Sequence, residues 1–91
     1  MNTTLHILTS TTIPSIFASL GIQDSVLLLR DAVYLLLQPS QIELPTHLIY
    51  VLSEDLAARG MNINDVKIKV ELIDYLRFVD LTIVHTNTVT W

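Results

Sequence analysis

The stretch Ser25-Val26-Leu27-Leu28-Leu29-Arg30-Asp31-Ala32-Val33-Tyr34-Leu35-Leu36-Leu37 decides the fold class. Its opening, Ser25 to Leu29, shows no polar–apolar alternation. That is the pattern of a strand covered on both faces, as in parallel sheets flanked by helices. Arg30 and Asp31 then break the run, and Asp31 to Leu37 reads as a short helix or helical turn stopped by Pro39. The apolar stretch Val26 to Leu37 contains two charges and falls well short of the ~20 residues a membrane-spanning helix needs.

Working outward, the flanks repeat the same alternation of strand and helix. Thr4 to Thr9 reads as a first strand. Ser10-Thr11-Thr12 supplies cap-type residues, Pro14 suits a first helical turn, and a helix from Ile13 to Leu20 closes at Gly21. On the other side, Thr46 to Leu52 reads as a third strand after Pro45. Ser53 is the expected N-cap of a short helix, with Glu54 and Asp55 in its first turn and Arg59-Gly60 at its end. Val66 to Val70 alternates and is expected to be a short or edge strand. Asp74 can cap a last helix from Tyr75 to His85, whose apolar character comes from Leu76, Val79, Leu81 and Ile83. Val89-Thr90-Trp91 closes the chain as an extended segment. Together these readings predict an α/β fold: one three-layer α/β/α domain over residues 1–91, with a mostly parallel sheet of four to five strands. The order of the strands is left open.

Composition points to a protein that works against a partner. Hydrophobic residues make up 51% of the 91 residues and charged residues 15%, against about 25% charged in an ordinary soluble domain. A chain this small has little interior in which to hide the excess, so part of it is expected to lie in an interface. There is no cysteine, which removes disulfides, thiolate-held metals and any thiol or persulfide nucleophile from this chain. The net charge of −4, without a basic cluster, argues against direct nucleic-acid binding. Met1-Asn2-Thr3-Thr4 has neither the basic region nor the apolar core of a secretory signal, so a cytoplasmic protein is expected.

Candidate chemistry is sparse. In open parallel sheets ligands bind at the carboxyl ends of the strands, where Thr9, Ser10, Asp31, Ser53, Glu54 and Asp55 fall. Helix caps and first turns ask for the same residue types, so capping explains most of them. His6, His47 and His85 lie on different elements without ligand spacing, and no metal or cofactor is expected. His6 falls on an apolar strand as a hydrogen-bonded core or interface residue. His85 sits favourably at a helix C-terminus. A Ser10–His6–Asp31 triad lacks the G-x-S-x-G elbow and is a remote reading. Asp31, Tyr34, Ser53, Asp55 and Trp91 are the candidate interface or strand-end pocket residues, and Trp91 is the best candidate for a contact outside its own core, or one tucked back on the domain.

Four blocks, in order along nearly the whole chain, resemble the TusB/DsrH family, a branch of the DsrEFH-like proteins. They are Leu5-His6-Ile7-Leu8; Asp24 to Tyr34; Tyr50-Val51-Leu52-Ser53-Glu54-Asp55-Leu56-Ala57-Ala58-Arg59-Gly60-Met61; and Ile73-Asp74-Tyr75 with Phe78-Val79-Asp80-Leu81-Thr82, His85 and Trp91. Ala32 departs from the pattern, standing where the family usually has glycine, so the turn after the second strand is open to a different backbone angle. The resemblance implies a non-catalytic subunit of a sulfur-relay complex, assembled with TusC-like and TusD-like relatives as a dimer of heterotrimers. In such complexes persulfide sulfur passes from TusA through a cysteine on the TusD-like chain to TusE, and ends in 2-thiouridine at the tRNA wobble position. DsrH-like members serve sulfur oxidation instead, and some carry a cysteine in the first helix. Its absence here argues for the tRNA branch. The rival from another class is a stand-alone, homo-oligomeric module that binds a small ligand near Ser10, Asp31 and Ser53. Whether the isolated chain self-associates is open.

Overall fold

A computed structural model of the chain describes residues 3–12, 24–37, 49–62, 64 and 69–91. The expected first helix with Pro14 and Gly21, His47, Pro39, Pro45, the start of the third strand and Val66 to Ile68 lie outside the described residues. The elements are β1 (Thr4–Leu8), β2 (Ser25–Leu28), a 3-10 helix (Arg30–Leu37), β3 (Ile49–Leu52), α1 (Ser53–Ala58), β4 (Glu71–Ile73), α2 (Tyr75–Val84) and β5 (Asn87–Thr90). All pairings are parallel and the sheet order is β4-β3-β2-β1-β5. The α/β class and parallel sheet read from the sequence hold, with five strands.

This order dictates which helix covers which face. From β1 to β4 each strand lies beside the last in one direction, and the 3-10 helix and α1, on the connections after β2 and β3, pack on one face. The step from β4 back to β5 runs the other way and puts α2 on the opposite face. The core divides accordingly. Val26, Leu28, Ile49 and Val51 pack with Ala32, Val33, Leu35 and Leu36 of the 3-10 helix and Leu56 of α1. Leu5, Ile7, Leu27, Tyr50, Leu52 and Ile73 pack with Leu81, and Phe78 leans on them. Alternate residues of each strand thus serve opposite layers, which is why Val26 to Leu28 and Ile49 to Leu52 are apolar without a break.

The helix ends follow local chemistry, with two corrections. Asp74 caps α2, its carboxylate accepting from the Arg77 amide at 2.8 Å. Gly60 closes α1 at φ +66°, where a side chain would be strained. Ser53, expected as the N-cap of α1, is instead its first helical residue. Leu52 holds the cap position, with no side chain bonded to the helix start. The buried apolar ladder runs on to Leu52 and carries the helix start one residue ahead of the sequence signal. Val70, expected to end a strand, precedes β4, which pairs Glu71, Leu72 and Ile73 with Tyr50, Val51 and Leu52. Only Ile73 of β4 is buried, so a strand this short carries almost no periodic signal.

The asymmetry of α2 sets a direct test. Leu81 is 1% exposed and Leu76 78% exposed on the same helix. Leu81→Ala should lower the unfolding free energy by about 2–5 kcal/mol through its cavity. Leu76→Ala should stay within about 0.5 kcal/mol. Urea denaturation followed by circular dichroism measures both.

Candidate functional site

The strand ends are built around one arginine. After β2 the ladder continues through the Leu29 amide to the Leu8 carbonyl at 2.9 Å. Arg30 then turns the chain at φ +51° and its amide donates to Asp55 Oδ2 at 2.7 Å. Across this turn Arg59 donates from Nε and Nη2 to Asp31 Oδ1 at 3.1 and 3.0 Å, and from Nη1 to the Asp55 carbonyl at 3.3 Å. Its Nη1 also lies 3.9 Å from Asp55 Oδ1, one helical turn away. Asp31 and Asp55 thus fasten the end of α1 to the turn after β2. The left-handed residue of that turn is Arg30 and not Ala32, which is buried inside the 3-10 helix.

The other candidates from the sequence fall elsewhere. Ser53 lines an open cavity of about 490 Å³ with Glu71, Leu72, Ile73, Asp74 and Arg77. Sequence reading missed the β4 residues and Arg77, because the strand was expected to end at Val70. Tyr34 is exposed on the 3-10 helix. Trp91 follows β5, and Ser53 follows β3 three strand spacings away, or roughly 14 Å. The five candidates therefore form no single pocket. Nor does a Ser10–His6–Asp31 triad form: Asp31 is engaged by Arg59, Ser10 Oγ accepts from the Thr12 amide at 3.4 Å, and His6 is engaged by Trp91.

Two histidines tie distant parts of the chain together. His85 Nδ1 lies 2.7 Å from the Leu81 carbonyl and Nε2 lies 2.9 Å from Ser25 Oγ. With Nδ1 protonated, the ring donates to the helix end and accepts the serine hydroxyl. Ser25 is 1% exposed, so this serine–histidine pair is closed to substrate and serves to join the end of α2 to the start of β2. His6 stacks on Trp91, with ring centroids 6.1 Å apart and planes at 19°. The Trp91 indole N–H donates to His6 Nδ1 at 3.2 Å, which requires that nitrogen to be unprotonated. Burial pushes the His6 imidazole below its ordinary value of 6.5, against a weaker opposing pull from Asp24.

The feature that stands out is the outer face of α2. Leu76, Val79 and Ile83 recur at i, i+3 and i+7 and are 78%, 46% and 72% exposed, with Tyr75 and Val84 beside them. An amphipathic helix normally turns such a stripe inward. Here, among the described residues, it faces away from the sheet layer that Leu81 joins. Burying the three stripe side chains against a partner is worth on the order of 5 kcal/mol. Among the described residues no helix is long and apolar enough to cross a membrane, and no group of three His, Asp or Glu side chains converges on a metal position.

The His6–Trp91 contact has a pH signature. A histidine whose folded pKa lies below its unfolded value stabilises fully above about pH 6.5, and that stability is lost as pH falls through the folded pKa. The urea midpoint, read from Trp91 fluorescence, should therefore fall from about pH 7.5 to 5. His6→Gln should remove part of that slope.

Comparison with known proteins agrees with this architecture. The family model described as DsrH like protein matches residues 8–88. Protein TusB of Yersinia pestis (strain Pestoides F) is 35% identical over 74 residues, covering 76% of each chain. Protein TusB of Buchnera aphidicola subsp. Acyrthosiphon pisum (strain 5A) is 40% identical over 73 residues, covering 79% of this chain and 72% of the relative. Among solved structures, protein Tm0979 from Thermotoga maritima superposes with a TM-score of 0.64 at 29% identity, covering 85% of this chain and 88% of that one. With a family model spanning most of its length and TusB proteins among its relatives, the chain belongs to the DsrH-like family.

Proposed function

We propose that this chain is a non-catalytic subunit of a cytoplasmic sulfur-relay complex that supports 2-thiolation of the tRNA wobble uridine. Its partners are TusC-like and TusD-like subunits of the same fold, in a dimer of heterotrimers that receives sulfur from TusA and delivers it to TusE. The observation that carries the reading is the stripe Leu76, Val79 and Ile83, an apolar face left outside the domain's own core. The lack of any cysteine supports it, because the chain has no thiolate on which to carry a persulfide. The relatives named TusB and the DsrH-like family point the same way. In this reading the chain contributes shape: α2 packs on a sister subunit and helps position the reactive cysteine there. The paired acids and arginine at the strand ends hold the scaffold and take no part in sulfur chemistry.

Leu76→Asp with Ile83→Asp tests the reading. Position 76 is in the first turn of α2, where an acid suits the helix dipole, and both side chains are exposed, so the fold should survive. The expected result is loss of co-purification with the cysteine-bearing sister subunits and loss of wobble 2-thiouridine, with the unfolding free energy lowered by no more than about 1 kcal/mol, the cost of an acid in the last turn of α2. A doubly substituted chain that still assembles and supports thiolation would refute it.

A further inference from the structure

The edge of the sheet at β5 carries a second interaction surface, independent of the α2 face. The Asn87 amide donates to the Thr3 carbonyl at 3.0 Å and the Trp91 amide to the Ile7 carbonyl at 2.8 Å, with Thr4 to Ile7 in register against Asn87 to Thr90. In a parallel ladder, alternate residues address one neighbour. Asn87, Val89 and Trp91 therefore address β1, and the backbone N–H and C=O groups of Thr88 and Thr90 point outward from the sheet.

This edge carries neither of the two commonest devices by which sheets avoid pairing, a charge or a proline. Natural edges use charges, proline, bulges or very short strands. The opposite edge, β4, is three residues long and begins with Glu71. β5 is four residues long, wholly exposed, and has neither charge nor proline, and three of its four residues are β-branched. It is also held in place at both ends. Thr3 and Thr86 exchange amide-to-hydroxyl bonds of 3.4 and 3.2 Å. At the other end Thr9 Oγ1 donates to the Trp91 carbonyl at 3.1 Å, and the indole rests on His6. A strand fixed in this way offers its outward groups without an ordering cost at the moment of pairing.

The sequence of the edge suits a copy of itself. Thr88-Val89-Thr90 reads the same in both directions. We infer that β5 pairs antiparallel with β5 of a second copy of this chain, about a two-fold axis through Val89. Thr88 then lies opposite Thr90 of the other copy and exchanges both backbone bonds with it, and the symmetry repeats the pair. The threonine side chains form cross-strand pairs on one face and the two Val89 side chains meet on the other. Two five-stranded sheets become one of ten strands. The contact is small, so the dimer is weak in the isolated chain. It leaves α2 free.

Amide exchange of the full chain across two decades of concentration tests this directly. The Thr88 and Thr90 amides should become protected as concentration rises, and the same change should persist in the Leu76→Asp, Ile83→Asp chain, which blocks α2. Thr88→Pro removes an outward N–H while sparing every bond to β1, a position where an edge strand tolerates proline. It should weaken dimerisation at least tenfold by sedimentation equilibrium with the circular dichroism spectrum unchanged. Protection that is independent of concentration, protection that arises only on adding sister subunits, or a Thr88→Pro chain that dimerises like the unaltered protein would overturn the inference.

Discussion

The return of the chain from β4 across the sheet to β5 is the constraint on which the rest depends. It moves the last crossover to the far face and leaves α2, among the described elements, to cover that face without help. A ten-residue helix cannot close a five-stranded layer. Only Leu81 of α2 is fully buried and Phe78 is half-buried, while its other large apolar side chains face outward. Among the described residues, five of the ten exposed large apolar side chains sit on α2. They collect where the topology runs out of cover, and a partner subunit of the same layered kind can complete the layer.

The polar features have a different role. Asp31, Asp55 and Arg59 lie where open α/β sheets commonly hold ligands, yet they bind one another and the Arg30 backbone. Exposed ion pairs contribute little to stability. Their value here is geometric: they fix a left-handed turn at Arg30 and the end of α1 against it. His85 and His6 act similarly over longer distances, each joining the last third of the chain to its first strands. Such long-range contacts hold the exposed helix and the edge strand in place, so that both surfaces are formed before any partner arrives.

How much of this could be read in advance depended on whether the signal was local. The apolar run Val26 to Leu28 of β2, the Asp74 cap and the Gly60 stop each arise within a few residues and are legible. Ser53 was misread because a cap residue type also suits the first turn, and the choice was made by the ladder continuing to Leu52. β4 goes unread because three residues with one buried side chain give no period. Strand order, the Arg59 bridge and the His6–Trp91 stack join residues 28 to 85 positions apart, and no window along the chain contains them. The family resemblance covered part of that gap. It implies partners, but not which side chains stay exposed.

The central claim is that this chain functions as one member of a hetero-oligomer. Native mass spectrometry of the tagged protein, purified gently from its own cells, tests it most directly. The account expects a hetero-oligomer that contains cysteine-bearing relatives of similar size, with this chain present in two copies. A monomer or a homo-oligomer without such relatives would contradict it, and attention would move to the cavity beside Ser53 and Arg77.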